Sequence, residues 1–313
     1  MIDRVLDISD RPAKLHVRND QLVIEPEGGE PVSAPLAEIA ALVVSHPRVS
    51  YTHSVLDGLA RAGAALVVCD QKHLPSAMLL PLAGHYVQAE RIGAQAEAPL
   101  PLKKRLWAEI VKAKVANQGR LLRLLLKNDH GLVALSRRVR SGDPDNLEAQ
   151  AARRYFEALF GKKFKRDREA DDHNRKLNYG YAVVRAAVAR AICAAGLHPS
   201  LGLHHHNRYD AFCLADDLME PFRPLNDLAV FLWLKTAGPD APFDLEAKRA
   251  ILRGLADQFQ VDGERRSLFD LAGRAASSLA HVFIGKRKKL ALPELWTEPG
   301  KPMPTGEEDE EEF

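Results

Sequence analysis

Cysteine, long apolar runs and a signal-like start are all scarce or missing in this chain of 313 residues. The three cysteines, Cys69, Cys193 and Cys213, lie far apart and form no CxxC pair. This spacing argues against a disulfide framework or a cysteine-ligated zinc site and indicates reduced thiols. No stretch reaches the roughly 18 apolar residues of a membrane helix, and MIDRVLDISD places acidic residues where a secretory signal has basic ones. We therefore expect a cytoplasmic protein without membrane contact.

Net charge is close to zero but unevenly distributed. The chain carries 44 Lys and Arg against 42 Asp and Glu, and six of the acidic residues form the segment EEDEEE at 307–312. The first 100 residues hold 12 acidic and 8 basic groups, so residues 101–306 hold 36 basic against 24 acidic groups. Such an excess suits a polyanion, because Lys and Arg neutralise phosphates and release counterions. A solvated basic surface fits the count equally well.

The sequence pattern changes once, between about residue 84 and residue 101. Before this point, short β-branched runs such as QLVIE, IAALVV and AALVVCD predict strands, with one helix over Val55 to Arg61. After it, apolar residues recur every three or four positions in LWAEIVKAKVANQGRLLRLLL, which predicts helices. In this reading the other faces of that helix carry Lys103, Lys104, Lys112 and Lys114.

We therefore predict an α+β protein. A β-rich, sandwich-like domain occupies residues 1–90, and a mainly α-helical domain, whose basic excess suits DNA binding, occupies residues 91–292. Residues 293–313 contain four prolines and the acidic run, so they bury too little apolar surface to offset the entropy of ordering. We expect this tail to be disordered.

The first of three stretches with potential chemistry is DNLEAQAARRYF. Asp145 or Asn146 caps a helix whose first turn contains Glu148, on the same face as Ala151 and Tyr155. A buried carboxylate on this face needs compensation, which a metal ion would provide. The stretch alone fits equally a glutamate that interacts with the helix dipole.

The other two stretches are LGLHHHNRYDAF and FCLADDLMEPFRP. Three adjacent histidines cannot all point at one site, and surface or packing roles are common for such residues. The second stretch predicts a helix from about Phe212 to Phe222 with Asp217 and Glu220 on one face and Asp216 elsewhere. Together the stretches supply carboxylates and one imidazole, which suits Mg²⁺ or Mn²⁺ and phosphoryl transfer.

The order of these motifs resembles the CRISPR-associated spacer-acquisition integrase and endonuclease family, in the branch that accompanies single-protein effectors. The resemblance covers most of the chain, from LWAEIVKAKVANQGRLL through LEAQAARRYF and NRKLNYGYAVVRAAVARAICAAGLHPSLG to HHHNRYDAFCLADDLMEPFRP. It implies that Glu148, His205 and Glu220 are the catalytic metal ligands and that Asp217 is an accessory acid. Within the triplet His204, His205 and His206, the family pattern favours the middle residue.

The resemblance further implies what the protein does and binds. It implies insertion of double-stranded DNA fragments into CRISPR leader-repeat DNA by transesterification. It also implies a homodimer and a small ferredoxin-like adaptation partner that completes a heterohexamer. Two other functions stay open on the residues alone: a non-catalytic DNA-binding architectural protein and a metallohydrolase of small phosphate esters.

Overall fold

The computed structural model describes residues 4–70, 75–81, 84–167, 170, 172–261 and 263–296, in a strand-rich lobe followed by a mainly helical lobe. The predicted α+β architecture is confirmed. Residues 297–313 of the predicted tail lie outside the described residues. Residues 293–296, which the sequence analysis assigned to that tail, pack on the helical lobe. Leu295 is fully buried, and its N–H donates a hydrogen bond to Asn117 Oδ1.

The strand-rich lobe contains two four-stranded sheets. The strands are β1 (Arg4–Ile8), β2 (Ala13–Arg18), β3 (Gln21–Pro26), β4 (Val32–Pro35), β5 (Ile39–Val44), β6 (Ser50–Tyr51), β7 (Ala65–Cys69) and β8 (Pro75–Leu79). In the first sheet, β1, β5 and β7 are parallel and β8 is antiparallel to β7. In the second sheet, the order is β4, β3, β2 and β6. Helix α1 (His53–Arg61) joins the two sheets and begins two residues earlier than expected.

Strand β5 connects the two lobes because its two faces lie in different hydrophobic cores. Leu42 and Val44 belong to the core inside the strand-rich lobe, whereas Ala41 and Val43 belong to the core of the helical lobe. Successive side chains of a strand point to opposite faces. This double burial explains why IAALVV is a continuous apolar run rather than an alternating one.

The helical lobe is organised around helices α3 (Leu100–Leu126) and α6 (His173–Ala194), which are both long and largely buried. Small residues let neighbouring helices approach α6 closely: a Cβ at Gly180 would lie only 1.6 Å from Asn226 Oδ1. The helices of this lobe are α2 (Gln88–Ala96), α3 (Leu100–Leu126), α4 (Leu132–Ser136), α5 (Leu147–Phe160), α6 (His173–Ala194), α7 (Cys213–Leu218), α8 (Arg223–Ala237), α9 (Leu245–Ala256) and α10 (Leu268–Phe283).

A hairpin of β9 (Gln258–Val261) and β10 (Glu264–Ser267) interrupts the helices between α9 and α10, which the sequence analysis did not anticipate. Among the described helices, none is both long enough and apolar enough to span a bilayer.

Candidate active site

Helix α5 begins so that Glu148 lies in its first turn beside the helical core. Asn146 is the N-cap, as one of the two predicted alternatives required, and its side chain accepts from the Ala149 N–H. Asp143, which the sequence analysis did not identify, accepts from the N–H groups of Leu147 and Glu148 at 3.0 Å each. These acceptors satisfy N–H groups that have no partner within the helix, and so they fix the position of Glu148.

The loop that carries the histidine triplet is folded around the carboxylate of Asp217. Asp217 is completely buried, and its Oδ2 accepts from the N–H groups of Leu203 (2.6 Å) and His204 (2.9 Å). Its Oδ1 accepts from the His205 N–H (3.2 Å) and contacts His205 Nδ1 at 2.6 Å. Gly202 permits this tight path, because a Cβ there would lie 2.4 Å from the His205 carbonyl oxygen.

The three histidines have different surroundings. The His204 ring stacks on the buried Trp107 ring, with centroids 4.3 Å apart and an angle of 2° between the planes. His205 lies edge-on to the same Trp107 and is held by Asp217, with about half of its side chain exposed. His206 is exposed. Trp107 and Asp217 therefore fix the orientation of His205 with respect to the helical lobe.

Glu220 lies in a short 3₁₀ turn (Glu220–Phe222) between α7 and α8, rather than on the single helix expected from Phe212 to Phe222. Pro221 explains the break, because a proline inside a helix has no N–H to donate and its ring clashes with the preceding turn. Pro224 lies in the first turn of α8, where a proline is tolerated. Asp217 and Glu220 are both buried, but they face different partners. Asp216 points elsewhere, as expected, and pairs with Arg185 at 2.7 Å.

Lys114 of α3 brings the two glutamates together. Its Nζ lies 2.7 Å from Glu148 Oε1 and 2.5 Å from Glu220 Oε2, so these two oxygens lie no farther apart than the sum of those distances. The prediction that Lys114 lies off the apolar face of its helix was wrong, since the residue is buried. Its spacing from Trp107 and Val111 places it on the buried face.

Arg223 provides the second cation of a charged cluster, whose other members are Lys114, Glu148 and Glu220. Its Nε donates to Glu220 Oε1 at 2.9 Å, and its guanidinium lies over the Tyr181 ring at 4.6 Å. By contrast, Glu220 Oε2 is buried and accepts no hydrogen bond from the described residues, so its contact with Lys114 is an ion pair only.

The two cations keep Glu220 ionised. Burial opposes the charge of Glu220, but Arg223 and Lys114 outweigh it and lower the pKa of Glu220 to about 2. Burial also opposes the charge of Lys114, and the carboxylates of Glu220 and Glu148 outweigh it and raise the Lys114 pKa. The hydrogen bond to Asp217 raises the pKa of His205, and Glu220 adds to the effect. Glu220 thus interacts electrostatically with both Lys114 and His205, and Glu148 interacts with Lys114.

A further buried carboxylate, Asp227, lies near Arg223. It accepts hydrogen bonds from the hydroxyls of Tyr155 (2.8 Å) and Tyr181. Burial raises the pKa of Asp227 to about 6, although both tyrosines and Arg223 oppose the shift. Sequence analysis missed this residue; its one signal was a carboxylate within the otherwise apolar run LNDLAVF.

The arrangement brings Glu148 and Glu220 together at Lys114, leaves His205 close enough to Glu220 for the two charges to interact, and turns Asp217 inward toward the histidine loop. As the side chains stand, the part of the chain that the structure describes contains no group of three or more His, Cys, Asp and Glu that could hold a metal ion. The ammonium of Lys114 occupies the space between the two glutamates. The site thus combines two carboxylates, a partly exposed imidazole, a buried ammonium and a partly buried guanidinium.

Comparison with known proteins decides the family. The family model described as CRISPR associated protein Cas1 matches residues 6–253, which include every residue of the cluster. This chain belongs to the Cas1 family. It is 38% identical over 290 residues to the CRISPR-associated endonuclease Cas1 of Neisseria meningitidis serogroup C (strain 8013), covering 90% of this chain and 93% of that protein.

Solved structures share the Cas1 fold with this chain. A casposase bound to integration product matches with a TM-score of 0.76 and 18% identity, covering 92% of both chains. A Cas6-RT-Cas1–Cas2 complex matches with a TM-score of 0.70 and 18% identity, covering 91% of this chain and 35% of that one. At these identities the structural matches establish the fold. The resemblance stated from the sequence motifs is confirmed at the level of the Cas1 endonuclease family.

Proposed function

We propose that this chain is a metal-dependent DNA integrase that inserts short double-stranded fragments into a CRISPR array by transesterification. Glu148, His205 and Glu220 hold the metal ion, Mg²⁺ or Mn²⁺. The observation that carries the proposal is the convergence of Glu148 and Glu220, from elements far apart in the chain, on one buried cation beside His205.

The residues fit a hard divalent cation. Two carboxylates and one imidazole are donors that such ions accept. Glu220 Oε2 is a buried carboxylate oxygen that faces the Lys114 ammonium, and a buried oxygen of this kind requires a cation, which a divalent ion would also supply. When bound, the ion would polarise the scissile phosphate and stabilise charge on the leaving oxygen.

The remaining side chains position these donors. The four contacts of Asp217 engage both of its oxygens, so we assign it the orientation of His205 rather than direct binding. With Nδ1 held by Asp217, His205 would bind through Nε2, an arrangement typical of carboxylate–histidine pairs at metal sites. Arg223 keeps Glu220 ionised and fixes one of its oxygens.

The proposed substrates are a captured double-stranded DNA fragment and the leader-repeat DNA that receives it. The basic excess in residues 101–306 supports binding of this polyanion. The structural matches include a casposase with its integration product and a Cas1–Cas2 assembly. We extend these to a homodimer of this chain with a small ferredoxin-like partner in a heterohexamer.

Strand transfer of a labelled short duplex into a supercoiled plasmid with a leader and repeat tests the proposal. The small partner protein is included, and reactions contain Mg²⁺, Mn²⁺ or a chelator. We expect product only with metal, and a loss of at least about 100-fold in Glu148→Ala, His205→Ala and Glu220→Ala, as metal-site chemistry requires. His206→Ala, an exposed neighbour, is the matched control and should retain activity.

Two outcomes would favour the other functions. Unchanged strand transfer in Glu148→Ala and Glu220→Ala, with product traced to another component, would indicate an architectural DNA-binding protein. Metal-dependent hydrolysis of a small phosphodiester without any need for duplex DNA would indicate a metallohydrolase of small esters.

A further inference from the structure

The ammonium of Lys114 is a buried cation at the point where two proposed metal ligands meet. Only 10% of its side chain is exposed. Its Nζ donates a hydrogen bond to Glu148 Oε1 at 2.7 Å and forms an ion pair with Glu220 Oε2 at 2.5 Å. Lys112, two residues away on the same helix, is exposed, so burial is a property of this position rather than of α3.

Glu220 already has a cation at each carboxylate oxygen, and a metal ion that binds it together with Glu148 must compete with one of these cations. Its Oε1 accepts from Arg223 and its Oε2 faces Lys114. Arg223 is held in place, because its guanidinium also packs over the Tyr181 ring and a planar guanidinium fixes its geometry. Lys114 is a point charge on a flexible four-carbon stem, so it is the partner that can move.

We propose that the Lys114 ammonium and the divalent ion are alternative occupants of the space between Glu148 and Glu220. The proposal rests on the metal-binding function proposed above. Without metal, the ammonium compensates two carboxylates that would otherwise repel each other in a buried setting. When a divalent ion binds the same oxygens, its charge repels the ammonium, and Lys114 leaves its position between them. Lys114 is therefore a positioning residue. It holds Glu148 and Glu220 together when no metal is bound, and it competes with the metal ion for their oxygens.

Mn²⁺ binding to the full-length protein tests this competition, with free Mn²⁺ measured by electron paramagnetic resonance. Lys114→Met keeps the length of the stem but removes the charge, and Lys112→Met is the matched control. We expect Lys114→Met to bind Mn²⁺ roughly tenfold more tightly than wild type, since a competing unit charge in contact with the ligands is removed. Lys112→Met should bind as wild type does.

Thermal unfolding provides a readout that needs no DNA and no activity. Without metal, Lys114→Met should unfold at a lower temperature than wild type, because it leaves buried carboxylates uncompensated. Saturating Mn²⁺ should then raise its unfolding temperature by more than it raises that of wild type. Mn²⁺ binding by Lys114→Met that is weaker than or equal to that of wild type would overturn the proposed exchange of the Lys114 ammonium for the metal ion. If binding is still lost in Glu148→Gln, the proposed function stands.

A second measurement covers the case in which Lys114→Met does not fold. Reductive methylation of wild-type protein, followed by peptide mass spectrometry, reports the accessibility of each lysine. Lys114 should be protected without metal and labelled at least about threefold more with saturating Mn²⁺, as displacement of a paired ammonium implies; Lys112 should be labelled equally in both. Equal Lys114 labelling at saturating Mn²⁺ would overturn the exchange. Wild-type Mn²⁺ affinity in both Glu148→Gln and Glu220→Gln would instead overturn the proposed metal site.

Discussion

The substitution Asp217→Asn tests whether one buried carboxylate organises the histidine loop. The carboxylate accepts from the backbone N–H groups of Leu203, His204 and His205 and contacts His205 Nδ1. An asparagine keeps one acceptor oxygen but replaces the other with an NH₂ group. This group is a donor and cannot accept from the N–H groups that face it. About two of the four contacts are therefore lost, at donors that are buried or partly buried.

The expected cost follows from these lost contacts. An unsatisfied buried donor costs about 1–3 kcal/mol, which gives about 2–6 kcal/mol for two donors. For a lobe of this size, each kcal/mol lowers the unfolding temperature by about 2–4 °C, so we expect a decrease of about 5–20 °C. Strand transfer should also fall, because His205 loses its orientation.

Differential scanning calorimetry of Asp217→Asn and of Asp145→Asn measures the effect. Asp145 is an exposed aspartate whose ion pair with Arg140 lies at the surface, and such pairs contribute little to stability. The control should unfold within about 3 °C of wild type. An Asp217→Asn protein that unfolds within about 2 °C of wild type and retains full strand transfer would refute the reasoning.

Three further substitutions test neighbouring parts of the account. Gly202→Ala should destabilise the protein and abolish strand transfer, because its Cβ would lie 2.4 Å from the His205 carbonyl oxygen; Gly273→Ala, with no atom within 4 Å of its Cβ, should unfold at the same or a higher temperature. Arg223→Met leaves Glu220 Oε1 without its guanidinium and should cost about 3–5 kcal/mol in urea unfolding; a cost below about 1 kcal/mol would contradict the ion-pair assignment. Asp227 has a pKa raised to about 6 by burial, so the folded state binds its proton more tightly than the unfolded state does, and its contribution to stability falls as pH rises from about 4 to about 6. Asp227→Asn should therefore gain about 3 kcal/mol relative to wild type over this window in urea unfolding, whereas a pH-independent difference would contradict the shift.

Patterns within short stretches of the sequence predicted several helices, strands and caps correctly. The continuous run IAALVV became β5, the apolar repeat after Pro101 became α3, and Asn146 caps the helix that carries Glu148. Family resemblance added the proposed ligands Glu148, His205 and Glu220, which stay a prediction. The structure brings the two glutamates together at Lys114. The choice of His205 within the triplet stays a prediction, which the surroundings of the three rings support.

Features that depend on distant partners were missed or misplaced. Lys114 was assigned to a solvated face because lysine is mostly exposed, and only carboxylates 34 and 106 positions away account for its burial. Asp227 depends on two tyrosines from other helices in the same way. The break at Glu220 had a local signal in Pro221, which the helical spacing of Asp217 and Glu220 obscured.

Anomalous diffraction from crystals of the Mn²⁺-loaded protein tests the central claim most directly. The account predicts a manganese peak about 2.0–2.3 Å from a carboxylate oxygen of Glu148, from Glu220 Oε2 and from His205 Nε2, within the usual range for such bonds. A peak at His204 or His206 instead, or a fully loaded protein whose only peaks lie away from Glu148 and Glu220, would contradict it.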